Sequence, residues 1–455
     1  MSGYLKILIL VLIFPGFLGA QQEKYNATVD AKTYEYFIKS DWKNLREAGY
    51  NAIDSGIDFY YLRLRMGISY YNEKDYMSAT PHFEKAVYYR EKDTLALEYL
   101  YYSYLFSDLQ SDANITAEKF PARLKEKVGY TSPGFVSGLY SEGGYTFVPG
   151  FNDIANKNKT TLEKPELTYK LPENEIYINL SLIHSFGNSV KYFHGLNSIT
   201  VNSSLINNSI SHPVNETNQT IRQLEYYGKL SAEPGKHFTI FASLHYLHIS
   251  LENPDPPPPP PAPPPQDSPP PKHNKNAATY NEFVYSAGVA KRFGKIEPGI
   301  SLLYSNLSGG NQNQAVLTLA YYPLGNLNLY SVTGMILHSN RENQSADYTT
   351  NFIFDEKIGL KISDNFWAEG VVTAGNMINY TEDNGFIVYN VTDKMNYKFG
   401  GNLLIYLSEE IEISFRYLAI STEYKIYTGN NLEGNLYETE KLYKHKLIGG
   451  FKWTF

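Results

Sequence analysis

The 455-residue chain contains no cysteine, which excludes a disulfide framework and a thiolate metal site. Charge is also sparse: 19% of residues are charged, against ~25% in a typical soluble domain. The formal net charge of −7 leaves no basic footprint for nucleic acid. Beyond the first 20 residues, no stretch comes near the ~18 continuous apolar residues of a membrane-spanning helix. Motifs of chemistry are missing too, with no P-loop, nucleophile elbow or HExxH sequence. His245 and His248 stand three apart in an alternating segment, and His184 and Ser185 are neighbours. In a strand each pair points to opposite faces, so neither makes a shared metal site or a Ser/His couple. The expectation is a non-enzyme without a cofactor. What fills the space left by charge is aromatic: 41 Tyr and 24 Phe.

The N-terminus carries Lys6, an apolar run from Ile7 to Leu18, and the small residues Gly19 and Ala20. This pattern predicts a secretory signal over residues 1–20, cleaved near Ala20–Gln21. From 21 to 130 the apolar period is helical, with few Gly or Pro. In "YYLRLRMGISYYNEKDYMSATPHFEKAVYYRE", small Gly67, Ala79 and Ala86 would let two antiparallel helices approach. Tyr70, Tyr76 and Phe83 would fill the space around them, and Asp75 would cap the second helix. The spacing of these six packing residues resembles a tetratricopeptide repeat. The resemblance is strongest over 61–90 and degenerate in the repeats on either side. It implies a scaffold that docks a protein partner. A helical strut packed on the next domain is the alternative.

From 131 onward the period changes from helical to two. "EIYINLSLIHSF" sets Ile176, Ile178, Leu180 and Leu182 against Tyr177, Asn179 and Ser181. "KMNYKFGGNLLIYL" sets Met395, Tyr397, Phe399 and Leu403 against Lys394, Lys398 and Asn402, and "IEISFRYLA" sets Phe415 and Tyr417 against Glu412 and Arg416. Short connections with turn chemistry fall at 186–189, 233–236, 293–295, 323–326, 363–365 and 407–410. Longer polar stretches alternate with them, at 148–173, 204–217, 252–276, 306–312, 339–346, 379–384 and 424–437. Six turns and seven loops join about fourteen strands. One loop holds a proline-rich run over 254–271, which predicts a stiff extended segment.

An even strand count with both ends on the short-turn side resembles bacterial outer-membrane β-barrels. The ending "FKWTF" is similar to the terminal-strand signature of that class, with Phe451, Trp453 and Phe455 on one face. The resemblance implies a fold of α plus transmembrane β-barrel: a periplasmic helical domain, then an antiparallel barrel over 131–455. Its partners would be the outer-membrane bilayer, the barrel-assembly machinery and a periplasmic protein. Lys398, Glu412 and Arg416 would face a wet lumen. The implied role is a pore or platform in a transport, secretion or assembly complex. A polymer-export porin (exopolysaccharide, for example) and a lipid-modifying barrel enzyme are the alternatives.

Overall fold

The structure is a computed structural model, and it describes residues 26–161, 167–209, 212–252, 278–341, 347–391, 393–431 and 434–455. Residues 1–20, expected to be a secretory signal, and the proline-rich run lie outside the described residues.

Seven described helices come first: α1 (26–38), α2 (Trp42–Asp54), α3 (Tyr60–Asn72), α4 (Tyr76–Tyr89), α5 (Thr94–Leu105), α6 (Gln110–Glu118) and α7 (Ala122–Val128). Local chemistry sets their starts. Asp41, Asp75 and Asp93 each accept a hydrogen bond from a first-turn amide, of Asn44, Ser78 and Ala96, and so satisfy donors that a helix leaves orphaned. Between α3 and α4, Ala79, Phe83 and Ala86 are fully buried. A Cβ on Gly67 would come within 2.5 Å of the Phe83 ring, so the close approach of α3 and α4 requires glycine there. Tyr70 and Tyr76 are half-buried, Tyr70 stacked on His82 and Tyr76 against Phe106. Pro81 is accommodated inside a continuous α4.

The remainder forms a closed antiparallel barrel. Its strands in chain order are β1 (Val136–Phe147), β2 (Leu167–Phe186), β3 (Val190–Ser209), β4 (His212–Gly235), β5 (Phe238–Glu252), β6 (Ala278–Lys291), β7 (Ile296–Ser305), β8 (Asn311–Tyr321), β9 (Leu329–Arg341), β10 (Thr349–Ser363) and β11 (Phe366–Met377). A short hairpin, β12 (Tyr380–Glu382) and β13 (Ile387–Tyr389), interrupts the series. Then come β14 (Lys394–Tyr406), β15 (Ile411–Asn431) and β16 (Gly434–Thr454). Each wall strand pairs with its sequence neighbour, β11 pairs with β14, and β16 returns to β1. Fourteen strands therefore close the wall. All six short turns fall where the sequence places them, at one end.

The burial pattern is inside out. Ile178, Leu180, Leu196, Leu224 and Leu302 are each 55–61% exposed on the outer face. Alternating with them, Asn179, Asn197, Glu225, His245 and Gln312 are 0–3% exposed on the inner face. A protein folding in water alone buries the opposite set. This distribution suits a wall with hydrocarbon outside and polar contacts within.

Two expectations need correction. Met395 belongs to the inner face, not the outer: it is 1% exposed and clusters with Met377, Ile353 and Tyr380. The register shifts between Met395 and Tyr397 on β14, and between Ala374 and Met377 on β11. An extra residue in a strand reverses the parity of all that follows. Nor are 148–173, 204–217, 379–384 and 424–437 simply loops. The first contains α8 (Phe151–Thr161) and the start of β2, 379–384 enters the barrel as β12, and the other two are taken up by the extended ends of β3, β4, β15 and β16.

Candidate functional site

Three elements contact the inside or the mouth of the barrel. At the loop end, β1 stops at Phe147 while β2 and β16 continue. There α8 folds inward, packing Phe151, Ile154 and Ala155 on Leu171, Tyr424 and Leu442 of the inner wall.

At mid-height the β12–β13 hairpin crosses the lumen. Its tip residues Asp383 and Asn384 adopt left-handed backbone (φ 47° and 57°), which short polar side chains tolerate best. That turn aims the Asn384 carbonyl at the wall, where Ser243 Oγ (2.6 Å), Ser286 Oγ (2.9 Å) and Tyr227 OH (3.4 Å) donate to it. The His245 ring spans the gap from Gly385 O (Nδ1, 2.8 Å) to Glu225 Oε2 (Nε2, 3.1 Å). Three strands along the wall from β5, on β8, Gln314 imitates a strand. Its Nε2 donates to Thr381 O (3.0 Å), and its Oε1 accepts from Thr381 N (3.0 Å) and Oγ1 (2.8 Å). Lys398 reaches from β14 to pair with Glu382, and its Nζ lies 3.3 Å from Tyr389 OH. Apolar packing adds to these polar contacts in two patches, Tyr380 and Tyr389 against Ile336, Ile353 and Met377, and Val388 against Leu247 and Val284. Phe386 adds a ring contact to Phe193 and Tyr227.

At the turn end the helical domain sits on the rim. The first-turn amide of Met77, left orphaned by α4, donates to Gly325 O (2.9 Å). Gly325 has φ 67°, and a Cβ there would collide with Asp75 Oδ1, so only glycine allows the approach. Asp75 also pairs with Lys295 Nζ (2.8 Å). Asn326 Nδ2 donates to Lys74 O (2.8 Å), and Arg292 reaches Ser107 O. The β4–β5 turn makes a two-pronged grip. Lys236 and His237 both hold φ 58°, and their amides donate to the two Asp112 carboxylate oxygens at 3.0 and 3.1 Å. Beside it, Glu84 Oε1 accepts from Tyr104 OH (2.7 Å) and faces His237 Nε2 (3.2 Å). Burial pushes the Glu84 carboxyl up, but these partners outweigh it and hold it below its ordinary value. For Asp112 burial wins and the carboxyl is raised, despite the neighbouring His237.

Within the helical domain, His82 is 3% exposed. Its Nδ1 lies 3.3 Å from Arg63 Nη1 and its Nε2 3.4 Å from Tyr50 OH. Burial, then the Arg63 charge, pushes its pKa down to about 4, so it is neutral near pH 7 and accepts from Arg63. An unfolded histidine takes up its proton near 6.5. Stability from this depressed value is therefore present above pH 6.5 and drains as pH falls toward 4. At pH 5 the domain should have lost about 2 kcal/mol from this group. Thermal melts of wild type and His82→Gln at pH 7 and 5 check this, because the variant should show a smaller pH penalty.

The sequence-assigned residues sort as follows. Lys398 holds the hairpin. Arg416 Nε donates to Asn402 (2.8 Å), which donates to Glu369 (2.6 Å) in an inner-wall chain. Glu412 falls on the same alternating face as Arg416 and buried Leu418. Phe451, Trp453 and Phe455 are 37–52% exposed on the outer face. Gln314, Asp112 and the hairpin itself were missed, and His245 was weighed only against His248, since Gln314, His245 and Asp112 reach partners 67 or more residues away.

No family model matches the chain, and no curated protein matches it. Among solved structures, it is similar to the toluene transporter TodX of P. putida (7% identity, TM-score 0.45), over 70% of this chain and 90% of that one. It is also similar to a Pseudomonas aeruginosa FadL homologue (10%, TM-score 0.41), again over 70% and 90%. The translocator domain of the autotransporter NalP from Neisseria meningitidis aligns at 10% identity and TM-score 0.30, over 77% of this chain and 99% of that one. The fourteen-strand closure rests on the strand pairing described above rather than on these likenesses.

Proposed function

We propose that this chain is an outer-membrane transport barrel held shut, whose conduit opens when the β12–β13 hairpin withdraws. The observation that carries this reading is the character of the mid-height stopper. The hairpin tip and its Gln314 and Lys398 contacts are hydroxyls, amides and one ion pair, which water can replace at small net cost, while Tyr380, Val388 and Phe386 add apolar packing. A fourteen-strand wall is wider than the roughly eight strands whose own side chains can fill a lumen, so a separate element has to close it. The apolar outer belt supports placement in a bilayer. The short-turn end would then face the periplasm, with the helical domain there as a tetratricopeptide-type cap. Lys398, Glu412 and Arg416 would line the conduit, and Phe451, Trp453 and Phe455 would serve the assembly machinery.

A second reading is a platform that never conducts and docks a periplasmic protein. It draws support from the end of α3 and α4 away from the barrel, where Tyr61, Tyr88 and Tyr89 are 37–70% exposed. Currents across planar bilayers separate the two. The intact chain should be nearly silent, and a form with 380–389 replaced by a short Gly-Ser linker should carry sustained current. Silence from both forms would sink the transport reading and leave the platform.

A further inference from the structure

Near the turn end, on the outer face of the wall, His184 of β2 and His194 of β3 converge. Leu182 is the direct cross-strand partner of His194, so the two histidines are diagonal neighbours, close enough for long side chains to meet. Their Nε2 atoms lie 3.1 Å apart and the rings are nearly parallel, at 18° with centroids 5.1 Å apart. The surroundings fix both rings. Tyr192 stacks on His194 (5.0 Å) and is tied through its hydroxyl to Tyr226 OH (2.7 Å), while Phe135 of the linker covers His184 (4.8 Å). The Nδ1 of His184 is buried and has no hydrogen-bond partner among the described residues.

We propose that His184 and His194 chelate a divalent transition-metal ion of the zinc–copper group. In the metal-free form one imidazole N–H donates to the lone pair of the other. Moving that proton to the uncommitted Nδ1, or losing it to solvent, leaves two lone pairs side by side. A separation of 3.1 Å is what two nitrogens at ~2.0–2.1 Å from one ion span at an angle near tetrahedral or square-planar. Neutral imidazole is the ligand such ions prefer, with copper bound more tightly than zinc. With two protein ligands, water completes the coordination shell. The site also has a mechanical position. It lies below the β2–β3 turn, whose Asn188 contacts Tyr130 and Glu118 of the helical side, and Phe135 belongs to the connecting segment. Metal occupancy would therefore stiffen the junction of cap and barrel. The inference stands independently of the transport reading.

The test uses the full chain in detergent with Cu2+ alone as probe, read by electron paramagnetic resonance. Wild type should show two equivalent imidazole nitrogens on one bound ion. His184→Asn and His194→Gln should each reduce this to at most one, and weaken binding by at least about tenfold, because a second ligand on the same frame acts at high effective concentration. Unboiled gel mobility verifies that both variants still fold. A single nitrogen in wild type, or spectra unchanged in both variants, would overturn the proposal and leave a hydrogen-bonded histidine pair only. Zn2+ gives a second readout: it should raise the melting temperature of wild type and of neither variant.

Discussion

Lys398→Met should unseat the hairpin and convert a quiet barrel into one that opens frequently. Lys398 and Glu382 are 9% and 12% exposed in their side chains, so neither charge is well solvated by bulk water. Removing the ammonium leaves Glu382 with Tyr389 OH at 3.4 Å as its remaining partner at Oε2, while Oε1 has none among the described residues. Breaking one half of a buried pair typically costs about 3–5 kcal/mol, because the surviving charge is stranded. The cheapest escape for a stranded carboxylate is to swing into water, and it would take β12 with it. A shift of about 3 kcal/mol corresponds to roughly a hundredfold rise in the open population. Open probability in planar bilayers measures it directly. Adding Glu382→Leu to Lys398→Met removes the stranded charge, and most of the closed population should return. If the double variant opens as often as the single one, a lost charge pair is not what seats the hairpin.

How much of this was legible beforehand depends on the range of the signal. The wall was readable because its information is local. Period two in 176–182 and 411–417, and the turn chemistry at 186–189 or 323–326, act between residues adjacent in sequence. Ile178 and Asn179 accordingly sit on the faces their alternation predicts. Parity failed at Met395, since a bulge leaves no mark in hydrophobic pattern beyond a single misplaced apolar residue. The hairpin was hidden because "INYTEDNGFIVYN" reads equally well as an outer loop. Gln314 and Ser243 on distant strands, with Lys398 on the strand that follows, draw it inside, and polar residues on an inner face look alike whether they meet water or a stopper. The histidine pair did have a signal: His184 and His194 straddle the 186–189 turn nearly symmetrically, so hairpin register alone brings them close. Asp112 had none, being one of two acidic residues in a nine-residue helix.

That residue carries the second large effect. Asp112→Ala should loosen the helical domain from the barrel mouth without unfolding either part. The Lys236 and His237 amides point the same way only because both residues hold left-handed backbone, a conformation that costs about 1–2 kcal/mol for a side-chain-bearing residue. The Asp112 carboxylate compensates for that strain by accepting both amides. Without it the donors lose their partner, and the turn has no reason to keep its shape. Since burial already lifts the Asp112 carboxyl, its ionised form is held there at some cost. The net loss should therefore sit at the low end, about 2 kcal/mol for two part-buried amides, or roughly a thirtyfold rise in undocked molecules. Hydrogen exchange at the amides of 236 and 237, and trypsin cleavage at Lys125 and Lys127 beside the linker, should both accelerate by that factor. Asp112→Asn keeps one acceptor oxygen and avoids burying a charge, so it should fall between wild type and Ala. Equal exchange rates in all three proteins would mean that the other rim contacts, among them Lys295–Asp75, Gly325–Met77 and Asn326–Lys74, hold the cap without Asp112. The β4–β5 turn would then owe its left-handed residues to some other constraint.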